Sequence, residues 1–231
     1  MKKILLLHGW NYDNYTSRTN SKDAWNNRKK FVDELSKKYE IYKLNFPGFC
    51  HQEEPNKPWY LKDFVEYVYK YIKDNNLEVD YILGYSFGGA VATLYNIMKD
   101  PSQKIILISP AIARTNVKPI NNKQSIIRTK LRSIYLKNIV KNKYMIYGTK
   151  FLSDTYQNIV RVELVNEINR INKDNLLIIY GDKDNMVDPY GVYNRLDDNH
   201  KECVEFIKDG EHDIANTHTK EIISIISKRV A

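Results

Sequence analysis

Short apolar runs recur along the chain, with helix-period patterns between them. Lys3–Leu7, Ile41–Phe46, Tyr81–Leu83, Ile105–Ile108, Leu176–Tyr180 and Val204–Ile207 read as strands. Several are apolar at consecutive positions rather than alternate ones, as expected where both faces of a parallel sheet are covered. Between them, Ser21–Lys38, Trp59–Asn75, Gly88–Lys99, Pro189–Asp197 and Ile214–Val230 carry apolar residues at a spacing of about 3.6. This strand–helix alternation predicts an α/β fold, a doubly wound and mainly parallel sheet with helices on both faces.

One interval breaks the rhythm. About 65 residues separate the end of the fourth strand at Ser109 from the fifth at Leu176, where a simple crossover needs far fewer. Helix-like patches occur there at Gln124–Lys141 and Asp154–Arg170. The interval, about 111–172, reads as a cap inserted over the strand ends of a single domain spanning 1–231.

Composition narrows the class. Hydrophobic residues at 42% and charged residues at 28% fit a folded soluble chain. Cys50 and Cys203 form no C-x-x-C pair, which argues against a disulfide framework or zinc site and for a reducing cytoplasm. The opening "MKKILLLHGW" has too short an apolar run for a signal peptide, and nothing approaches the ~18 apolar residues of a membrane span. Charge is uneven. Between Pro101 and Ser153 lie eleven Lys or Arg and no Asp or Glu, more than the +8 net charge of the whole chain. Such a segment reads either as a solvated lid or as a surface that steers an anionic substrate, an acidic acyl carrier protein or an anionic lipid surface. Nucleic acid is disfavoured, because there is charge but no recognition motif.

Ligands of an open α/β sheet bind outside the carboxyl ends of its strands. "HGW", with His8 and Trp10, follows the first strand, and Ser86 follows the third. "GDKDNMVDP", with Asp182, Asp184 and Asp188, follows the fifth, and "KDGEHD", with His212, follows the sixth. A hydroxyl, a carboxylate and an imidazole thus converge on one edge. Serine needs an adjacent base to become a nucleophile, imidazole suits that role at neutral pH, and a carboxylate fixes the imidazole tautomer. Gly84-Tyr85-Ser86-Phe87-Gly88 is a G-x-S-x-G sequence in its required context, strand before and helix after.

Among the histidines, His8 begins a turn, His51 lies in a long loop, His200 precedes the last strand at its wrong end and His218 falls in the final helix. His212 alone follows the last strand on the side where Ser86 emerges. For the acid, the fifth-strand loop offers Asp184 or Asp182, with Asp188 read as the cap of the helix beginning at Pro189. "HQEE" at His51–Glu54 has no second cluster at zinc spacing, and "GYSFGG" lacks the P-loop lysine and the G-x-G-x-x-G spacing, so neither metal nor nucleotide cofactor is expected.

The order "HGW", "GYSFGG", "GDKDNMVDP", "DGEHD" resembles the α/β-hydrolase superfamily over nearly the whole chain. The resemblance implies six strands in the order 2-1-3-4-5-6, without the first two strands of the eight-stranded version. It favours Asp184 as the acid, through a G-x-x-D-x-x-V pattern with Gly181 and Val187, and no carboxylate follows the fourth strand until Asp154. It implies an oxyanion hole of the Phe87 and Trp10 main-chain N–H groups, with Trp10 and Tyr85 walling a substrate pocket. "NFPGF" at Asn45–Phe49 is similar to the family's D-x-P-G-x-G loop, with Asn45 for Asp and Cys50 for the last Gly. The expected activity is cofactor-independent serine hydrolysis of an ester or thioester. A non-hydrolytic enzyme such as a lyase, or a binding module, are the alternatives, since a fold does not fix its function.

Overall fold

The computed structural model describes residues 1–113 and 142–229. The apolar runs form six parallel strands: β1 (Lys3–Leu7), β2 (Glu40–Leu44), β3 (Tyr81–Tyr85), β4 (Lys104–Ile108), β5 (Leu176–Gly181) and β6 (Val204–Ile207). They pair in the order β2-β1-β3-β4-β5-β6, as the family resemblance implies.

The consecutive apolar positions have a simple cause. Successive side chains of a strand point to opposite faces, and here each face meets a packed layer. Leu5 and Leu7 of β1, Ile105 and Leu107 of β4, and Ile178 and Tyr180 of β5 enter one core. Ile4 and Leu6, Ile106 and Ile108, and Leu177 and Ile179 enter the other. On the first face pack α2 (Leu61–Asp74) and α3 (Phe87–Met98), through Phe64, Val68, Val91 and Tyr95. On the second pack α1 (Lys29–Ser36) and the final helix, through Phe31, Leu35, Ile222 and Ile226. Truncating any of the fully buried Leu or Ile side chains among these to Ala costs about 2–5 kcal/mol.

Several helix bounds differ from expectation. The helix expected from Ser21 begins eight residues later, at Lys29, after a 3₁₀ turn at Asn26–Arg28. The Ser21 hydroxyl accepts the Asp23 N–H at 3.1 Å, and Asp23 Oδ1 accepts the Trp25 N–H at 2.8 Å. Such side-chain bonds give the backbone an alternative to helix. Between β4 and β5 the described residues form α4 (Lys143–Ile146), α5 (Lys150–Ile159) and α6 (Val165–Ile168). The expected helix at Gln124–Lys141, and eight of the eleven basic residues, lie outside the described residues. After β5 come α7 (Pro189–Tyr193) and α8 (Asp198–Lys201). The expected last helix is split at His218 into α9 (Ile214–Thr217) and α10 (Thr219–Arg229), and its Val230 lies outside the described residues.

The Asn45–Cys50 loop has two residues with positive φ. Gly48 has φ +85°, and Cys50, at the place of the last Gly in the family pattern, has φ +47°. Asn45 ties the loop to the segment before Trp25: Oδ1 accepts the Ala24 N–H at 3.1 Å and Nδ2 donates to Lys22 O at 2.8 Å. Among the described residues, no helix is long and apolar enough to cross a membrane and no cluster of three or more His, Cys, Asp or Glu could hold a metal ion.

Candidate active site

Ser86 links β3 to α3 with φ +51° and ψ −113°. A left-handed φ at a non-glycine residue costs about 1–3 kcal/mol and persists only where its surroundings impose it. Here the Ser86 N–H donates to Ile108 O, and Ser86 O accepts from the Gly89 and Ala111 N–H groups, each at 2.9 Å. The flanking glycines allow the close approach this needs. A Cβ on Gly84 would lie 2.4 Å from Gly88 O, and one on Gly88 would lie 2.1 Å from Leu7 O.

Three of the expected residues meet. His212 Nε2 lies 3.0 Å from Ser86 Oγ, and His212 Nδ1 lies 2.7 Å from Asp184 Oδ2. A carboxylate only accepts, so Nδ1 carries the imidazole proton and Nε2 is left to accept the serine proton. The Asp184 side chain is fully buried and that of His212 is 14% exposed. Asp184 Oδ1 accepts the Met186 and Val187 N–H groups at 2.9 and 3.2 Å, which fixes the carboxylate plane.

The other carboxylates of that loop do different things. Asp188 caps α7 through Gly191 N–H at 2.9 Å, as its position before Pro189 predicts. The expected alternative acid, Asp182, has no bond to His212: its N–H donates to Ile207 O, and its Oδ1 is buried with no partner among the described residues.

The remaining histidines sit apart from this constellation. His8 Nε2 accepts the Phe46 N–H at 2.9 Å and its Nδ1–H donates to Gly9 O at 2.8 Å, so the ring is a neutral brace between two loops. Burial pushes its pKa down to about 4. His200 Nε2 lies 2.8 Å from Ile171 O, His51 is in the exposed loop after Cys50, and His218 meets Thr217 Oγ1.

Phe87 is the first residue of α3, so its N–H has no intrahelical acceptor. Neither it nor the Trp10 N–H donates to a described residue. The loop carrying Trp10 presses on the elbow: a Cβ on Gly9 would lie 3.2 Å from Ser86 Cβ. The Trp10 ring packs edge-on to Phe87 and Phe49, and its Nε1 donates to Tyr15 Oη at 2.7 Å.

A cleft of ≈ 370 Å³ opens over Ser86 and His212. Trp10 and Tyr85 line it, together with Tyr144 of α4 and Tyr156 of α5, which stack at 4.9 Å. The described part of the β4–β5 insertion therefore borders the site. Arg28, within the expected Ser21–Lys38 helix and not marked there as a site residue, also lines the cleft. Its side chain is 11% exposed and pairs with Asp213 at 2.9 Å. Nothing local in the sequence marks Arg28, because its partners Tyr85 and Asp213 lie 57 and 185 residues away.

A family model for the alpha/beta hydrolase fold matches residues 2–135. No curated protein matches the sequence. Among solved structures, a bromoperoxidase from Bacillus anthracis is similar at TM-score 0.71 and 16% identity, covering 99% of this chain and 91% of that one. A meta-cleavage product hydrolase from Pseudomonas fluorescens IP01 gives TM-score 0.66 at 16% identity, covering 100% and 90%. A monoacylglycerol lipase from Paleococcus ferrophilus gives 0.58 at 13% identity, covering 98% and 94%. At these identities the likeness is one of fold, and with the family match over more than half its length the chain belongs to the alpha/beta hydrolase fold family.

Proposed function

We propose that this chain is a serine hydrolase cleaving carboxylic esters or thioesters through an acyl-enzyme on Ser86. The observation that carries the reading is the unbroken line from Asp184 Oδ2 through His212 to Ser86 Oγ, at 2.7 and 3.0 Å. Ser86 Oγ attacks the substrate carbonyl carbon while His212 Nε2 takes its proton. Asp184 holds the tautomer and stabilises the imidazolium. The developing oxyanion is met by the Phe87 and Trp10 N–H groups, each such donor being worth on the order of 100- to 1000-fold in rate. The carbon–oxygen or carbon–sulfur bond to the leaving group then breaks as His212 returns the proton to it. Water, deprotonated by His212, releases the acid and regenerates Ser86. No cofactor enters the cycle.

The described segment 142–172 serves as part of a cap on a single domain. Its basic neighbours support an anionic substrate, or one carried by an acidic protein, less simply than the sequence suggests. Lys104 opens β4, at the end of the sheet opposite Ser86, and Lys150 is paired with Asp154. Steering therefore rests on Lys143, near the Tyr12 ring, and on residues outside the described ones. A cytoplasmic setting fits the free thiols of Cys50 and Cys203.

A panel of p-nitrophenyl esters of increasing chain length, with thioester and amide controls, tests the reading. Turnover of an ester or thioester that disappears in Ser86→Ala is expected. A folded protein inert to the whole panel contradicts it and leaves the lyase or binding-module reading. Anionic and neutral esters compared at low and high salt test the steering: unchanged kcat/KM for the anionic ones removes it.

A further inference from the structure

One guanidinium joins the chain neighbours of the two reacting side chains. Tyr85 precedes Ser86, and Asp213 follows His212. Arg28 Nε donates to Asp213 Oδ1 at 2.9 Å and Arg28 Nη2 donates to Tyr85 Oη at 3.0 Å. The guanidinium also lies over the Tyr85 ring, 4.1 Å from its centroid. The Tyr85 hydroxyl in turn faces His212 O at 3.3 Å and Asp213 Oδ1 at 3.4 Å, so its single proton stays with the His212 loop. Asn216 Nδ2 adds a second tie, donating to Asn27 O at 3.0 Å and to Asp213 Oδ2 at 2.8 Å.

We infer that Arg28 is a positioning residue that sets the register between Ser86 and His212 by clamping Tyr85 and Asp213. The inference rests on the hydrolase reading for its catalytic consequence, though the clamp itself does not need it. β3 and β6 are not neighbours in the sheet; β4 and β5 lie between them. The sheet therefore relates the Ser86 turn to the His212 loop only through β4 and β5, and Arg28 adds a direct link between them outside the sheet. A planar, forked guanidinium can hold a carboxylate, a hydroxyl and an aromatic face at once, which an ammonium cannot. The side chain reaches across from the Asn26–Arg28 turn and is almost wholly enclosed, so little of it remains to bind substrate.

The test compares Arg28→Ala, Arg28→Lys, Tyr85→Phe and the Arg28→Ala/Tyr85→Phe double variant. Arg28→Ala is expected to lower kcat and the fluorophosphonate labelling rate together by about 10- to 100-fold, as misplacement of a reacting group by an ångström does. KM should stay within about twofold, because binding is not what is lost. Arg28→Lys should recover part of the rate, and the double variant should lose no more than Arg28→Ala alone, because both changes break one path. In a Ser86→Ala background, Arg28→Ala should speed amide hydrogen exchange over residues 211–214. Loss of melting temperature with kcat per folded molecule unchanged would make Arg28 merely structural and overturn the inference. So would a rise in KM at constant kcat, which marks a substrate contact. If Arg28→Ala does not fold, Arg28→Lys and Tyr85→Phe carry the same comparison. A wild-type protein that neither labels nor turns over, yet shows Arg28-dependent protection at 211–214, sinks the hydrolase reading and leaves the clamp standing.

Discussion

Asp184 gives one carboxylate oxygen to His212 and the other to its own loop. Oδ2 takes the imidazole Nδ1–H at 2.7 Å, while Oδ1 takes the Met186 and Val187 N–H groups. This division dictates what an amide would do in its place. In Asp184→Asn the carbonyl oxygen stays with the two N–H groups, and the NH₂ faces Nδ1. His212 must then carry its proton on Nε2 and cannot accept one from Ser86. We expect kcat to fall on the order of 10⁴-fold with stability nearly unchanged. Steady-state kinetics with denaturation midpoints decide it, and a loss below tenfold would mean that Asp184 does not orient the base.

The turn at Ser86 stores backbone strain that stability does not need. Ser86 holds φ +51° with a side chain that disfavours it. Gly usually destabilises a fixed backbone by about 0.5–1 kcal/mol relative to Ala. At this position the order should vanish or reverse, since strain of about 1–3 kcal/mol is released only by Gly. Thermal melts of Ser86→Gly and Ser86→Ala, both inactive, make the comparison. Ala more stable by a full kcal/mol would show the elbow to be relaxed.

His8 makes stability fall in mild acid. Its folded pKa of about 4 lies below the ordinary 6.5, so the unfolded chain takes up this proton first as pH drops. The contribution is complete above pH 6.5 and is lost progressively toward pH 4. Between pH 7 and pH 4.5 the loss should be about 2–3 kcal/mol. Urea denaturation of wild type and His8→Asn at the two pH values isolates it, because the other titrating groups are shared. Equal losses in both proteins would remove His8 as the cause.

Much of this was legible in the chain because it depends on periodicity and punctuation. Lys3–Leu7 and Val204–Ile207 have the strand bounds read from the sequence, and Ser86, Asp184 and His212 each fall just after a strand. The Ser21–Lys38 expectation failed where Ser21 and Asp23 bond their own backbone, a competition that apolar spacing does not register. Arg28 was invisible for a different reason. A lone arginine in a predicted helix reads as a solvated face, and only the folded sheet brings Tyr85 and Asp213 to it. Asp184 was favoured over Asp182 by the family resemblance alone, and the physical difference shows only in the folded loop, where the Asp184 side chain turns to His212 and that of Asp182 does not.

The proposed mechanism makes Ser86 an activated nucleophile, which covalent labelling probes directly. The folded protein is treated with a fluorophosphonate and digested, and the adduct is located by mass spectrometry. One adduct is expected, on the peptide holding Ser86, absent in Ser86→Ala and strongly slowed in His212→Ala. A folded wild-type protein that stays unlabelled, or one that labels equally well without His212, would contradict it.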